Sequence, residues 1–292
     1  MLSSLARSRR VILAALGAVT VALLVGGAAS APAAPAAASD ERWAVLVGVN
    51  DYAGRTVDTH GSIGDVRDLR QVLVAAGWPE SNIVELTDRH ASAASIRDAL
   101  RWLAAKSSSG SMSVFHYSGH VKQLGGDRDR DGEALDEYLW AWDNRFIADR
   151  ELAESLRRVQ GKVWVDIAGC EAAGFDDGLS GPRHLFTASS REVEKSYEQP
   201  AWGNSVYSGL MIDQGMLRRG AQADADGRIS IQSAFAYAAE RAPRVTANQS
   251  HGPQHPVIAG GDGQPWHLAP PPPRAQPASE GRRCLLGICR GG

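Results

Sequence analysis

The sequence predicts an α/β fold with a mostly parallel central sheet and helices on both faces. Three observations predict it. Short apolar runs such as "WAVLVGV", "SVFHYS" and "KVWVDIA" alternate with amphipathic stretches of helical period. Connections long enough to hold a helix bring successive strands back parallel. The chain has 292 residues, 43% of them hydrophobic and 22% charged, with no internal repeat, which suits one globular domain.

The elements follow in order. "MLSSLARSRR" is basic, "VILAALGAVTVALLVGG" apolar, and "AASAPAAPAAASD" small and broken by proline. Residues 1–38 therefore read as an export signal, with Arg9-Arg10 compatible with the twin-arginine type. The protein is expected to be exported, to the cell envelope or outside it. It would meet a membrane only through this segment, if uncleaved. The domain is expected over residues 40–268. Its first strand is expected from Trp43 to Val49, followed by a helix carrying Val66, Leu69, Val72 and Leu73 and stopped by Gly77. "NIVELTD" reads as the second strand, and "SAASIRDALRWLAAK" as a helix with Ser92 or Ser95 as its cap. The third strand is expected from Met112 to Tyr117, then a Gly/Asp-rich loop, the short extended "EYLWAWD", and a helix capped by Asp149. "KVWVDIA" and "HLFTAS" are the next strands, "WGNSVYSGLMIDQGM" and "ISIQSAFAYAAERA" helices, and "QHPVIAGG" a last edge strand, because it carries Pro256. Residues 269–292 form a Pro-rich tail that cannot build a core.

A formal charge of −2 offers no footprint for nucleic acid or an anionic surface. The three cysteines are more informative. Cys284 and Cys289 are close enough to close a small loop, which leaves Cys170 alone in a chain expected to meet an oxidising environment. A reactive nucleophile, a bond to a partner chain and a buried inert thiol each account for such a residue.

In open α/β sheets, ligands bind beyond the carboxyl ends of the strands. Two of those ends carry "HYSGH" and "DIAGC", so His120 and Cys170 face one cleft if their strands are neighbours. A thiol attacks a carbonyl as thiolate, and an imidazole favours that form and returns a proton to the leaving amine. Gly119 and Gly169, each just before the reactive residue, allow close backbone approach to a substrate. The competing reading is a buried cysteine and a satisfied loop histidine.

The ordered set "WAVLVGVNDY", "IGDVRDLRQVLVAAGWPESNIVELTD", "SVFHYSGH", "DGEALDEYLWAWD", "IADRELAESL", "DIAGCEAAGF" and "FTASSREVEKSYE" resembles the caspase-like cysteine peptidases, nearest to the bacterial and metacaspase branch. Caspases place the histidine about 50 residues before the cysteine, and here the two are 50 apart. The resemblance implies a caspase-like three-layer sandwich and an endopeptidase acting on protein or peptide substrates. His120 would be the acid/base and Cys170 the nucleophile. Asp65, Ser118, Gly119, Asp166 and Gly169 would lie near the substrate, and metacaspase-like pockets take Arg or Lys.

Three departures bear on this. Val121 stands where the family has glycine, Ala168 where metacaspases carry aspartate, and Glu171 where a small residue or histidine is usual. They keep open a catalytically inactive caspase-fold binding or regulatory module. No cofactor is required by the Cys–His chemistry. Calcium is an option by resemblance, at Asp136, Asp149 and Asp177. "DRDRDGEALDEY" starts like a calcium loop, but Tyr138 stands where the bidentate glutamate belongs.

Overall fold

The computed structural model describes residues 41–272 apart from Asp127, Asp129, Arg130, Asp131, Glu133 and Asp177. The expectations for the signal segment, for Asp177 and for Cys284 and Cys289 lie outside the described residues. Eleven strands and five α-helical segments are present among those described. The strands β1 (Arg42–Gly48), β2 (Ile83–Thr87), β3 (Met112–Ser118), β7 (Lys162–Ala168), β8 (His184–Ala188) and β11 (Val257–Gly260) form one sheet in the order β11-β8-β7-β3-β1-β2. Every neighbouring pair is parallel except β11 with β8, so β11 is the edge strand expected from its proline-bearing sequence.

Strand side chains alternate between two apolar layers, which is why these runs are apolar throughout. Val45, Val47, Phe115, Tyr117, Val163 and Val165 face α2 (Ala93–Lys106) and α3 (Asp149–Leu156). Ala44, Leu46, Val114 and Trp164 face the opposite layer, built from α1 (Ser62–Ala75), α4 (Val206–Ser208) and α5 (Ile231–Val245). Phe115, Val165 and Trp164 are wholly buried. Burial of each such side chain stabilises the fold by about 1.5–3 kcal/mol. The result is a three-layer sandwich. No helix among the described residues is long and apolar enough to cross a membrane.

Three local expectations are corrected. The Gly/Asp-rich stretch after β3 is not all loop: β4 (Val121–Gly125), β5 (Leu135–Trp140) and β6 (Phe146–Ala148) make a small antiparallel sheet. Its sequence is too mixed to show strand periodicity, and Leu139 and Ile147 become buried only against the main sheet. Asp149 does not cap α3; it opens the helix, and its carboxylate accepts the N–H of Glu137 on β5 at 2.6 Å. The helix expected after Trp202 is α-helical only over Val206–Ser208 and continues as a π-helix over Gly209–Leu217. Ser92 is the cap of α2, accepting the Ser95 N–H at 3.1 Å.

Between β8 and α4, the short strands β9 (Glu198–Gln199) and β10 (Asn204–Ser205) pair antiparallel. They carry one wall of the cleft described next.

Candidate active site

Strands β3 and β7 are adjacent and parallel, with Ser118 opposite Ala168. His120 and Cys170 each lie two residues beyond that last pair, so both leave the sheet at its carboxyl edge. The glycines between them allow the approach. A Cβ on Gly169 would stand 2.8 Å from the Gly119 carbonyl oxygen and 2.7 Å from Val121 Cγ2. On Gly119 it would stand 2.6 Å from the Tyr52 hydroxyl. The Gly119 N–H closes the gap by donating to the Ala168 carbonyl at 3.1 Å.

His120 and Cys170 line one cleft of about 240 Å³ with Ser118, Gly119, Ala168 and Gly169. Its remaining wall comes from Asp58, Thr59 and Ser62 on one side and from Ser196, Tyr197, Glu198 and Ser205 on the other. Larger depressions at the opposite end of the sheet are lined by residues such as Met112, Arg228 and Trp266 and Val72, Met216 and Ile229. They hold no thiol, so the chemistry belongs to the smaller cleft.

The His120 ring is held by backbone and by an aromatic. Nε2 is 2.7 Å from the Val57 carbonyl oxygen, and the ring stacks on Tyr52 at 4.8 Å. A carbonyl only accepts, so Nε2 carries the hydrogen and Nδ1 is the unprotonated nitrogen of the neutral ring. The Tyr52 hydroxyl accepts the His120 N–H at 2.7 Å. Val57 itself is 77% exposed, which leaves the carbonyl as its contribution to the site.

Cys170 is held by the loop that follows β8. Its Sγ receives the Ser196 N–H at 3.4 Å and approaches the Ser196 carbonyl oxygen at 3.8 Å. Among the described residues no hydrogen bond joins Sγ to His120, so the two share a cleft without a direct bond, as unliganded catalytic pairs commonly do. Burial pushes the thiol above its ordinary pKa; the Ser196 hydrogen bond opposes this, Glu171 adds to it and Lys195 opposes it. Among the described residues the Cys170 N–H meets no acceptor, and it lies beside the sulfur.

Of the remaining expected residues, Ser118, Gly119 and Gly169 line the cleft. Asp65 and Asp166 do not, and their expected place at the substrate is corrected: both side chains are wholly buried. Asp65 accepts the Ser118 hydroxyl at 2.7 Å, the Ser205 N–H at 3.0 Å and the Asn204 amide at 3.2 Å. It thus ties the two walls together from beneath. Burial raises its pKa to about 6, against the pull of His116 and these hydrogen bonds. Asp166 is held by His116 Nδ1 at 2.8 Å, the Tyr207 hydroxyl at 2.8 Å and the Thr187 hydroxyl at 2.6 Å, inside the sheet.

For calcium, Asp136 and Asp149 are buried, and each gives an oxygen to a backbone N–H, of Arg128 and Glu137 respectively. Among the described residues no three carboxylate, imidazole or thiol groups converge as a metal site would require. The other Asp136 carboxylate oxygen is buried and has no hydrogen-bond partner among the described residues.

Sequence reasoning missed Tyr52, Val57, Asp58, Ser196 and Glu198. Ser196 and Glu198 stood inside "EKSYE", but their contribution depends on how that loop folds back. Gln254 folds it: wholly buried, it accepts the Tyr197 N–H at 3.2 Å and donates to Ser189 O at 2.8 Å.

Residues 41–252 match the family described as Caspase domain. Metacaspase-4 of Arabidopsis thaliana is 33% identical over 164 residues, 53% of this chain and 38% of that protein. Metacaspase-1 of Candida albicans is 34% identical over 125 residues, 38% of this chain and 28% of that protein. The matches thus span well under two thirds of these relatives' own length. Among solved structures, Caspase-1 from Spodoptera frugiperda superposes with a TM-score of 0.55 at 13% identity, covering 79% of this chain and 90% of that one. A protein from Geobacter sulfurreducens does so at 0.58 and 16% identity, covering 75% and 94%. Both share the fold. With the caspase-domain match running through both cleft walls, from β1 past α5, the chain belongs to the caspase-domain family.

Proposed function

We propose that the chain is an exported cysteine endopeptidase that cleaves protein or peptide substrates with Cys170 as nucleophile and His120 as acid and base. The observation that carries this is the placement of a thiol and a tautomer-defined imidazole in one cleft, at the ends of adjacent parallel strands. In the reaction, Nδ1 of His120 takes the thiol proton, and the thiolate forms a bond to the carbonyl carbon of the scissile peptide. The oxyanion faces the Cys170 N–H. Collapse breaks the C–N bond, and His120 gives its proton to the departing amine. Water, deprotonated by the same nitrogen, then hydrolyses the thioester.

A substrate carbonyl reaching the sulfur lies along the loop at 191–198, whose Ser196 N–H touches Sγ and favours the thiolate. A basic residue before the scissile bond is supported by the cleft's own charges. Asp58 and Glu198 line it, and no lysine or arginine does among the described residues. Glu198 is held in place by the N–H groups of His60 and Gly61, both at 2.6 Å. Ala168, in place of an aspartate, leaves those two carboxylates to meet a guanidinium or ammonium.

The alternative, an inactive binding module, is favoured by one observation: the sulfur is largely buried, which raises its pKa against the pull of the Ser196 hydrogen bond. A panel of Arg, Lys and Asp peptides separates the two. Wild type is expected to cleave after Arg or Lys, and Cys170→Ala to cleave none. Equal behaviour of the two proteins would exclude the enzyme reading.

A further inference from the structure

Glu171 directly follows the cysteine and has a left-handed backbone, φ 52°, unusual for a residue with a Cβ. Its N–H donates to the Glu194 carbonyl at 2.8 Å, and its carboxylate pairs with Lys195. The Glu171 side chain is only 7% exposed, whereas that of Lys195 is 46% exposed. A nearly buried carboxylate one residue from a reactive sulfur is the wrong charge for a thiolate. Lys195 supplies the opposite charge, and Ser196, the next residue, supplies the N–H that touches Sγ.

We propose that the Glu171–Lys195 ion pair is a positioning device for the nucleophile. It clips the 191–198 loop across the Cys170 turn so that the Ser196 N–H meets the sulfur. It also supplies the cation that offsets the Glu171 carboxylate beside the thiolate. Neither residue touches substrate in this role; both act through the sulfur. The other titratable groups lining the Cys170 cleft are His120 from the β3 end, Asp58 from the opposite loop, and Tyr197 and Glu198 from the clipped loop; on that loop Glu194 is paired with Arg191 and His255. None of these pairs with Glu171, so removing Lys195 leaves its carboxylate unopposed. Burial already raises the thiol, and the opposing influences of Glu171 and Lys195 on it accord with the geometry.

This inference rests on Cys170 being the nucleophile of the proposed function, and its test is read separately from turnover. The full chain is alkylated with iodoacetamide from pH 5 to 10, and the rate is followed by mass on the peptide containing Cys170, which excludes Cys284 and Cys289. Lys195→Gln is expected to move the alkylation midpoint up by about one pH unit, a roughly tenfold slower reaction below the midpoint. Glu171→Gln is expected to move it down. The double variant is expected between the two, and Lys195→Arg close to wild type. Opposite shifts are what a merely structural role would not produce. Midpoints that stay put, or that move the same way in both single variants, overturn the proposal. Glu171→Gln keeps the side-chain volume, so one arm remains decisive if Lys195→Gln does not fold. Hydrolysis by Cys170→Ala would overturn the nucleophile and leave the alkylation result to judge the ion pair.

Discussion

Asp65 is the group whose titration the structure makes most measurable. It lies wholly buried below the cleft, with a pKa raised from an ordinary 3.8 to about 6. A carboxyl with a raised folded-state pKa is bound more tightly to its proton when folded. Its contribution to stability is therefore fully present below its unfolded pKa and is lost as pH rises through the folded value. A rise of about two pH units corresponds to about 3 kcal/mol lost between pH 4 and pH 7. Asp65→Asn removes that loss while keeping the shape. Its oxygen still accepts from the Ser205 N–H, and the Ser118 hydroxyl turns to accept from the new amide. The assay is urea unfolding of wild type and variant at several values from pH 4.5 to 7.5. The two are expected to differ little at the acid end. The variant is expected to gain up to about 3 kcal/mol by pH 7 and to plateau above it, a midpoint shift of about 1 M urea. A stability difference that does not change with pH would refute the reasoning. It would mean that Asp65 keeps an ordinary pKa despite its burial, or that the unfolded chain holds it equally protonated.

Further outcomes follow from particular contacts. Gly169→Ala is expected to destabilise the fold by about 1–3 kcal/mol in thermal unfolding, because its Cβ meets Gly119 O and Val121 Cγ2 at 2.8 and 2.7 Å. Val121→Ala should recover part of this, since only one of those neighbours is a side chain. Glu198→Gln is expected to raise KM for Arg peptides about tenfold or more with less effect on neutral ones, because a desolvated carboxylate facing a guanidinium is lost. In EGTA, peptide hydrolysis is expected to persist, because the thiol and imidazole chemistry routes no step through a metal. A strict calcium requirement would instead point to the acidic residues near 127–133 and 177. N-terminal sequencing of exported material is expected to begin close to residue 39; a chain retained whole in the membrane would count against export.

What was legible in the sequence, and what was not, divides by the kind of atom involved. The strands were readable because Val45, Val47, Val163 and Val165 pack into one layer while Leu46 and Trp164 pack into the other. Burial on both faces leaves an apolar run, and apolar runs are visible. The pairing of β3 with β7, which makes one cleft out of "HYSGH" and "DIAGC", was a condition on topology that periodicity does not contain. Asp65 and Asp166 were visible as carboxylates, but whether a carboxylate meets solvent or a buried hydroxyl depends on neighbours 53 and 41 residues away, Ser118 and Tyr207. The strongest positioning groups were the least visible of all. The carbonyl of Val57 orients His120, and the N–H of Ser196 holds Cys170; any residue except proline offers both groups, so neither leaves a compositional trace. Side chains in this cleft supply the reactive atoms, and backbone from two loops sets which proton and which lone pair they present. A substitution at Val57 or Ser196 that keeps the backbone path should therefore matter less than one that bends it, a difference a proline at either position would expose.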